Sequence, residues 1–282
     1  MVRPALLRDR RTGPVDTPPW PLRDRWWLQR RVELVTFDLD DCLWDSAEVM
    51  MRAEEARQRA LADAYPRIAA TWGWREFRTV VMAGLAETRP DIAHSPSELQ
   101  KEGLRWCARE AGYDDPEAVA ALGFEAFAAA RLQPTIFPGA LEMLKSLRAA
   151  GYIVGTLSNG NADVANIAEL CDCVDFSLTA EGVGAAKPDV SMFHAAMAAA
   201  GVTDPAACVH VGDDHGKDVL GAKNAGWRSI WCPASQAWEA AGPVVVEVPG
   251  EHVLGEADAR IFELGQIVGV CTGWDSDSRP KL

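Results

Sequence analysis

Val35-Thr36-Phe37-Asp38-Leu39-Asp40-Asp41-Cys42-Leu43-Trp44-Asp45 is the stretch around which the chain is organised. Glu33 to Phe37 is apolar-rich and β-branched, long enough for one buried strand. The run then stops in carboxylates. In an open parallel sheet the ligand crevice lies beyond the carboxyl ends of the strands, so Asp38 and Asp40 belong at the mouth of such a crevice. Two acids this close raise each other's pKa unless something compensates. A divalent cation would do so: held by Mg²⁺, Asp38 stays ionised and can act as a nucleophile, while Asp40 can keep a proton and act as an acid. A solvated strand-to-turn junction is the alternative, and this stretch alone does not choose between them.

The 282 residues suffice for one elaborate domain or two modest ones, and 48% hydrophobic with 24% charged residues reads as globular and soluble. The net charge is −13 although the first 31 residues carry eight Arg against three Asp, so the remainder is more acidic still. That argues against a nucleic-acid-binding surface. No apolar run reaches the roughly 18 residues of a membrane span. Seven Cys without framework spacing indicate thiols in a reducing compartment, the cytosol or, alternatively, a plastid or other organelle stroma. Cys171 and Cys173 form a close pair that is a weak metal signal.

Residues 1–31 read as an extension: Pro14, Pro18, Pro19 and Pro21 exclude a continuous helix, and no apolar signal-peptide core is present. The Arg excess leaves organelle targeting open, and Trp20, Trp26 and Trp27 are expected to pack this arm onto the domain. From Ser46 to about Pro134 helix starts recur. Ser95-Pro96-Ser97-Glu98 is a capping box, Asp115-Pro116-Glu117 repeats it in part, and Gly112 and Gly123 are natural stops. This predicts a helical insertion directly after the first strand, with Trp72, Trp74 and Trp106 packing inside it. Arg75, Arg78, Arg89, Arg105 and Arg109 belong on solvated faces; Arg131, just before Gln133-Pro134 where the chain re-enters the core, is the candidate for substrate.

After Pro138-Gly139 the α/β alternation is plain. A helix over 140–150 precedes a buried strand over 152–157, which ends in Ser158-Asn159-Gly160-Asn161. A hydroxyl and backbone N–H groups at a strand end suit a phosphate. A strand over 174–178 leads to a loop over 181–187, whose Lys187 precedes Pro188 and a helix from Asp189, placing one positive charge. A strand over 208–211 then ends in Gly212-Asp213-Asp214-His215-Gly216-Lys217-Asp218. Two strands ending in carboxylates can assemble a hard-oxygen cation site. Asp38 and Asp213 are the natural Mg²⁺ pair, with Asp218 one helical step beyond, while His215 is expected at the surface. Gly226 to Trp231 leads into a last core strand; farther on, a strand over 244–248, a helix near 257–265 and a polar tail over the last ten residues are expected.

Four separated elements, in this order and spacing, resemble the haloacid dehalogenase-like hydrolase superfamily. D-x-D-x-[TV] stands as Asp38-Leu39-Asp40-Asp41-Cys42, the Ser/Thr motif as Ser158, the Lys as Lys187, and G-D-x₄-D as Gly212-Asp213 through Asp218. The resemblance covers about residues 32–240. It implies an α/β fold with a Rossmann-like parallel sheet core over 32–45 and 135–240, an inserted α-helical cap over 46–134, and extensions over 1–31 and 241–282. It also implies an Mg²⁺-dependent phosphatase acting on a small-molecule phosphate ester. Asp38 would form an aspartyl-phosphate, and Asp40 would serve as acid and then base. Asp40 would also join Asp38, Asp213 and Asp218 at the metal through its main-chain carbonyl. Ser158, Asn159, Gly160 and Lys187 would hold the phosphate. Asp40 favours C–O–P cleavage over C–halogen or C–P cleavage. Cys42 stands where the family has Thr or Val, and a thiol there predicts oxidation-sensitive activity. The runs 158–162, 210–214 and 90–94 resemble phosphatases acting on flavin mononucleotide or the riboflavin-pathway ribitylaminouracil phosphate. A phosphomutase using the same two Asp, and a non-catalytic scaffold binding a partner through the Trp-rich arm and cap, stand as alternatives.

Overall fold

The computed structural model describes residues 32–232 and 257–277; the expected Trp-bearing arm and the expected strand over 244–248 lie outside the described residues. The sheet is built from β1 (Leu34–Phe37), β2 (Ile153–Ser158), β3 (Phe176–Thr179), β4 (Cys208–Gly212), β5 (Arg228–Trp231) and β6 (Ala259–Arg260). Its order is β3-β2-β1-β4-β5-β6 with every pairing parallel. All four residues of β1 are buried, as a central strand covered on both faces requires. Side chains alternate between those faces. Val35 and Phe37 join a core with Leu144, Leu147 and Ile230, whereas Leu34 joins Leu157, Met192 and Phe193 on the other side.

Chain order places the later strands on one flank of β1 and the earlier ones on the other. β1 lies between β2 and β4, so the direction of winding reverses there, and a crevice opens at the carboxyl ends of these two strands. Asp38 follows β1 and Asp213 follows β4, in register beside it: Phe37 pairs with Val211, and the Asp38 N–H donates to the Val211 carbonyl at 2.8 Å.

Between β1 and β2 the chain forms α1 (Ser46–Ala64), α2 (Pro66–Thr71), α3 (Trp74–Glu76), a π-helical stretch (Phe77–Met82), α4 (Ala83–Thr88), α5 (Pro96–Glu110) and α6 (Pro116–Arg131). Asp45, Ser95 and Asp115 cap α1, α5 and α6 by accepting from first-turn N–H groups. At α5 the capping box is half made: Glu98 turns to Lys101 and the Ser95 N–H goes to the Ile92 carbonyl. The segment has its own apolar cluster, including Leu61, Ile68, Phe77, Val81, Leu104 and Val119. The chain leaves and re-enters the sheet region through a short neck, where Trp44 bridges Ile136 and the Phe137 N–H donates to the Leu43 carbonyl.

Several sequence expectations need correction. Gly123 does not stop a helix; it lies inside α6, where a Cβ would stand 3.0 Å from Leu104, so its role is to let α5 approach α6 closely. Trp72 and Trp106 meet edge to face at 5.6 Å, but Trp106 at 37% and Trp74 at 38% are both exposed, so neither is buried inside the segment. The loop over 181–187 begins as a helical turn, α8 (Ala180–Val183), capped by Thr179. α7 (Ala140–Ala149), α9 (Val190–Ala200) and α10 (Leu220–Asn224) flank the sheet. The helix expected near 257–265 is absent there: Ala259–Arg260 is strand β6, drawn into the sheet by β5, and the helix is α11 (Gln266–Asp277). Part of the expected polar tail is therefore helical, and Asp275 accepts from the Val32 N–H and the Tyr152 hydroxyl, pinning α11 beneath β1 and β2.

Candidate active site

The crevice beyond β1 and β4 is lined by Asp38, Asp40, Asp41, Ser158, Asn159, Gly160, Lys187, Asp213, Asp214 and Lys217. Asp38, Asp213 and Asp218 each offer an oxygen within 4.8 Å of the others. This set of hard oxygen donors suits a divalent cation such as Mg²⁺. Electrostatics agree with that fit. Burial pushes the Asp38 carboxyl up to about 7 against the pull of Lys187, and Asp218 and Asp40 add to the rise. Burial, Asp218 and Asp41 push Asp213 up to about 6. One Lys does not balance these acids.

Lys187 is buried, and its Nζ lies 2.9 Å from Asp38 and 2.7 Å from Asp218. Burial alone would lower its pKa, yet the two carboxylates hold it above the ordinary lysine value. Burial alone would raise Asp218, but Lys187 and His210 hold it well below the usual carboxylate range. The Lys187–Asp218 pair is thus firmly charged, and Asp38 carries the unbalanced negative charge.

Asn159 fixes Lys187 from behind. Its Nδ2 donates to the Lys187 carbonyl at 2.8 Å, and its Oδ1 accepts the Lys187 N–H at 2.7 Å. Ser158 Oγ accepts the Gly160 N–H at 2.9 Å. Gly212 is required at the end of β4, because a Cβ there would stand 2.3 Å from the Asp218 Cγ.

Arg131 comes to Asp40. Its Nη2 lies 2.6 Å from both carboxylate oxygens, and the Trp44 indole N–H donates to Oδ1 at 2.8 Å. Arg131 is 2% exposed and stands outside the lining of the crevice at Asp38, on the wall of a neighbouring cavity. His215 is exposed at the surface.

Cys42 departs from the expectation of a reactive thiol. It is fully buried, its Sγ faces the Val211 carbonyl, and the neighbouring Cys232 together with burial pushes the thiol well above its ordinary value. A thiol kept protonated and shielded is a poor target for oxidation.

Two residues that sequence reasoning missed are Thr36 and His210. They face each other across β1 and β4, with Thr36 Oγ1 2.8 Å from His210 Nδ1, and His210 Nε2 lies 3.1 Å from Asp218 Oδ1. Burial lowers the His210 pKa, so the ring is neutral. Because the carboxylate can only accept, Nε2 carries the proton and Nδ1 accepts from Thr36. A buried polar chain thus runs through the sheet and orients Asp218. Its trace in the sequence is a hydroxyl and an imidazole at matching places in two apolar runs.

Comparison with known proteins gives the family of the chain. The chain is 30% identical over 167 residues to the haloacid dehalogenase-like hydrolase domain-containing protein 3 of Xenopus laevis. That match takes in 55% of the chain and 64% of the relative, so the chain spans less than two thirds of that protein's length. It is 29% identical over 210 residues to the 5-amino-6-(5-phospho-D-ribitylamino)uracil phosphatase of Escherichia coli, covering 71% of this chain and 83% of that one. Among solved structures, one described as a 2-haloacid dehalogenase from Pseudomonas syringae is 34% identical, with a TM-score of 0.74 over 86% of this chain and 99% of that one. The pattern of the haloacid dehalogenase-like hydrolases matches residues 32–226, more than half of the chain, which belongs to that family.

Proposed function

We propose that the protein is an Mg²⁺-dependent phosphatase that hydrolyses a small-molecule phosphate monoester through an aspartyl-phosphate on Asp38. The observation that carries the reading is the cluster of Asp38, Asp213 and Asp218, in which one buried Lys187 pairs with Asp38 and Asp218 and leaves Asp213 without a cation among the described residues. It concentrates negative charge where a cation is needed and sets one nucleophilic carboxylate at its centre. Bound Mg²⁺, held by Asp38, Asp213, Asp218 and the main chain at Asp40, would neutralise charge on the transferring phosphoryl group.

Asp38 attacks phosphorus as the bond to the leaving oxygen breaks. Asp40 gives that oxygen a proton, then takes one from the water that attacks the aspartyl-phosphate, and inorganic phosphate departs as Asp38 is regenerated. Both oxygens of Asp40 face protein donors in this arrangement, so a contact with Arg131 or Trp44 opens as Asp40 turns to the leaving group. Lys187, Ser158 and the main-chain N–H of Asn159 stand at the crevice where charge would develop on the transferring oxygens, with Gly160 lining it beside them. The helical segment over 46–134 acts as a cap over this site.

A dehalogenase is the competing reading, since one similar structure is described as such. Attack on a C–halogen bond releases a halide that needs no proton and bears no phosphate charge, so Asp40 and the cation-binding cluster would have no task. The deciding experiment measures phosphate and halide release with Mg²⁺ over a panel of phosphate esters and 2-haloacids. The panel includes flavin mononucleotide, ribitylaminouracil phosphate and sugar phosphates, and Asp38→Asn is assayed beside the wild type. Phosphate release that needs both Mg²⁺ and Asp38 supports the phosphatase. Halide release without Mg²⁺ overturns it, and interconversion of sugar phosphates without free phosphate would point to a mutase.

A further inference from the structure

We propose that the leaving group of the ester is a small acid, seated in the cavity beside α6 with its carboxylate held by Arg131. The inference rests on the phosphatase reading above. Arg131 ends α6 and is 2% exposed. Its Nη2 is committed to Asp40, but Nε and Nη1 have no hydrogen-bond partner among the described residues. Buried donors are rarely left idle, because one desolvated without a partner destabilises the fold. A ligand acceptor removes that cost.

The same side chain lines a cavity of about 190 Å³. Phe124, Ala128 and Leu132 give it an apolar wall, and Asn161 and Asn166 a polar one. Asp163 also lines it, but its carboxylate is already engaged by the Ala165 N–H and the Asn166 amide. The cavity adjoins the phosphate crevice at Gly160, where a Cβ would stand 3.0 Å from Asp40 Oδ2 and 3.3 Å from Arg131 Nη2. A leaving group attached through the oxygen that Asp40 serves enters here. Three features then select it. An idle guanidinium N–H makes its strongest hydrogen bond to an ionised acceptor, which a carboxylate supplies. The apolar wall accepts one or two methylenes between carboxylate and ester oxygen. The volume is well below the roughly 300–1,000 Å³ of pockets that enclose drug-sized ligands, so a flavin ring would stand largely outside it. The substrate class is a phosphorylated short-chain hydroxy acid.

The test compares kcat/KM with Mg²⁺ for phosphoglycolate and ethyl phosphate, esters of similar length that differ in the carboxylate. An aryl phosphate serves as the reference for the chemistry itself. The wild type should prefer the acid by about ten-fold or more. Arg131→Lys, which keeps the charge but loses the idle donors, and Ala128→Leu, which fills the cavity, should each bring the ratio toward one. Because the readout is a ratio, a general loss of activity in either variant does not imitate the result. A wild-type ratio near one overturns the inference, as does a preference that survives both substitutions. Should the wild type leave even the aryl phosphate intact, the phosphatase reading falls first and takes this inference with it.

Discussion

Asp38→Asn should make the metal-free protein more stable, and increasingly so as pH rises. Burial pushes Asp38 from 3.8 up to about 7. A carboxyl whose pKa is raised in the fold binds its proton more tightly when folded than unfolded, so its contribution is fully present below the unfolded value. It is lost as pH climbs through the folded value. The loss builds between about pH 4 and about pH 7 and reaches about 4 kcal/mol, at about 1.36 kcal/mol per unit. Asn is close to isosteric with the neutral acid and does not titrate, so the two proteins should be similar at about pH 4, with the variant ahead at about pH 8. For a chain of this size that gap is a melting difference on the order of 10 °C. Thermal unfolding followed by circular dichroism in excess EDTA at both pH values measures it. Excess Mg²⁺ should then raise the wild type and leave the variant behind, because a ligand stabilises by binding the folded state. A variant gain equal at both pH values, or absent in EDTA, would refute the reasoning, since the buried charge would then not be the source of the instability.

Asn159→Ala removes both bonds that fix the Lys187 main chain and should lower the rate of phosphate release by about ten-fold, with little change in Mg²⁺ affinity by calorimetry. Gly212→Ala puts a methyl group against Asp218 and should weaken Mg²⁺ binding by about ten-fold or more; unchanged affinity would show that Asp218 is not held where the cation needs it. Gly123→Leu overpacks the α5–α6 contact and should cost about 1–3 kcal/mol in denaturant unfolding, whereas an uncapped or frayed α6 at that point would tolerate it.

The elements that position the site were legible because each carries a local contradiction. β1 and β4 are apolar runs broken by acids, and only a crevice at a strand end makes that arrangement useful. The failures have a common physical cause, which is tertiary context. Gly123 reads as a stop in isolation, and only the neighbouring Leu104 reveals a packing contact. Ala259–Arg260 has no strand propensity to notice, yet β5 leaves an edge that it pairs. His210 hid inside a strand because its partners, Thr36 and Asp218, come from other elements. Arg131 was singled out by its place before the re-entry point, but its attachment to Asp40 bridges 91 positions that no periodicity links.

The charge arrangement argues for division of labour among acids that the sequence presents as equivalent. Asp218 is spent on Lys187 and His210, so it anchors the cluster and stays ionised. Asp213 has no such partner among the described residues and stands partly exposed beside Asp38, where a cation would relieve it. Asp40 pairs with Arg131 and Trp44, so the residue two places from Asp38 answers to a different cation from Lys187. In the proposed phosphatase that separation would keep the proton donor apart from the cation-binding acids, and Arg131 joins Asp40 to the wall of the neighbouring cavity. A site for halide displacement would need the nucleophile without either arrangement. On the proposed reading, the two together would let the site neutralise a phosphoryl group on one side of phosphorus and protonate an alkoxide on the other.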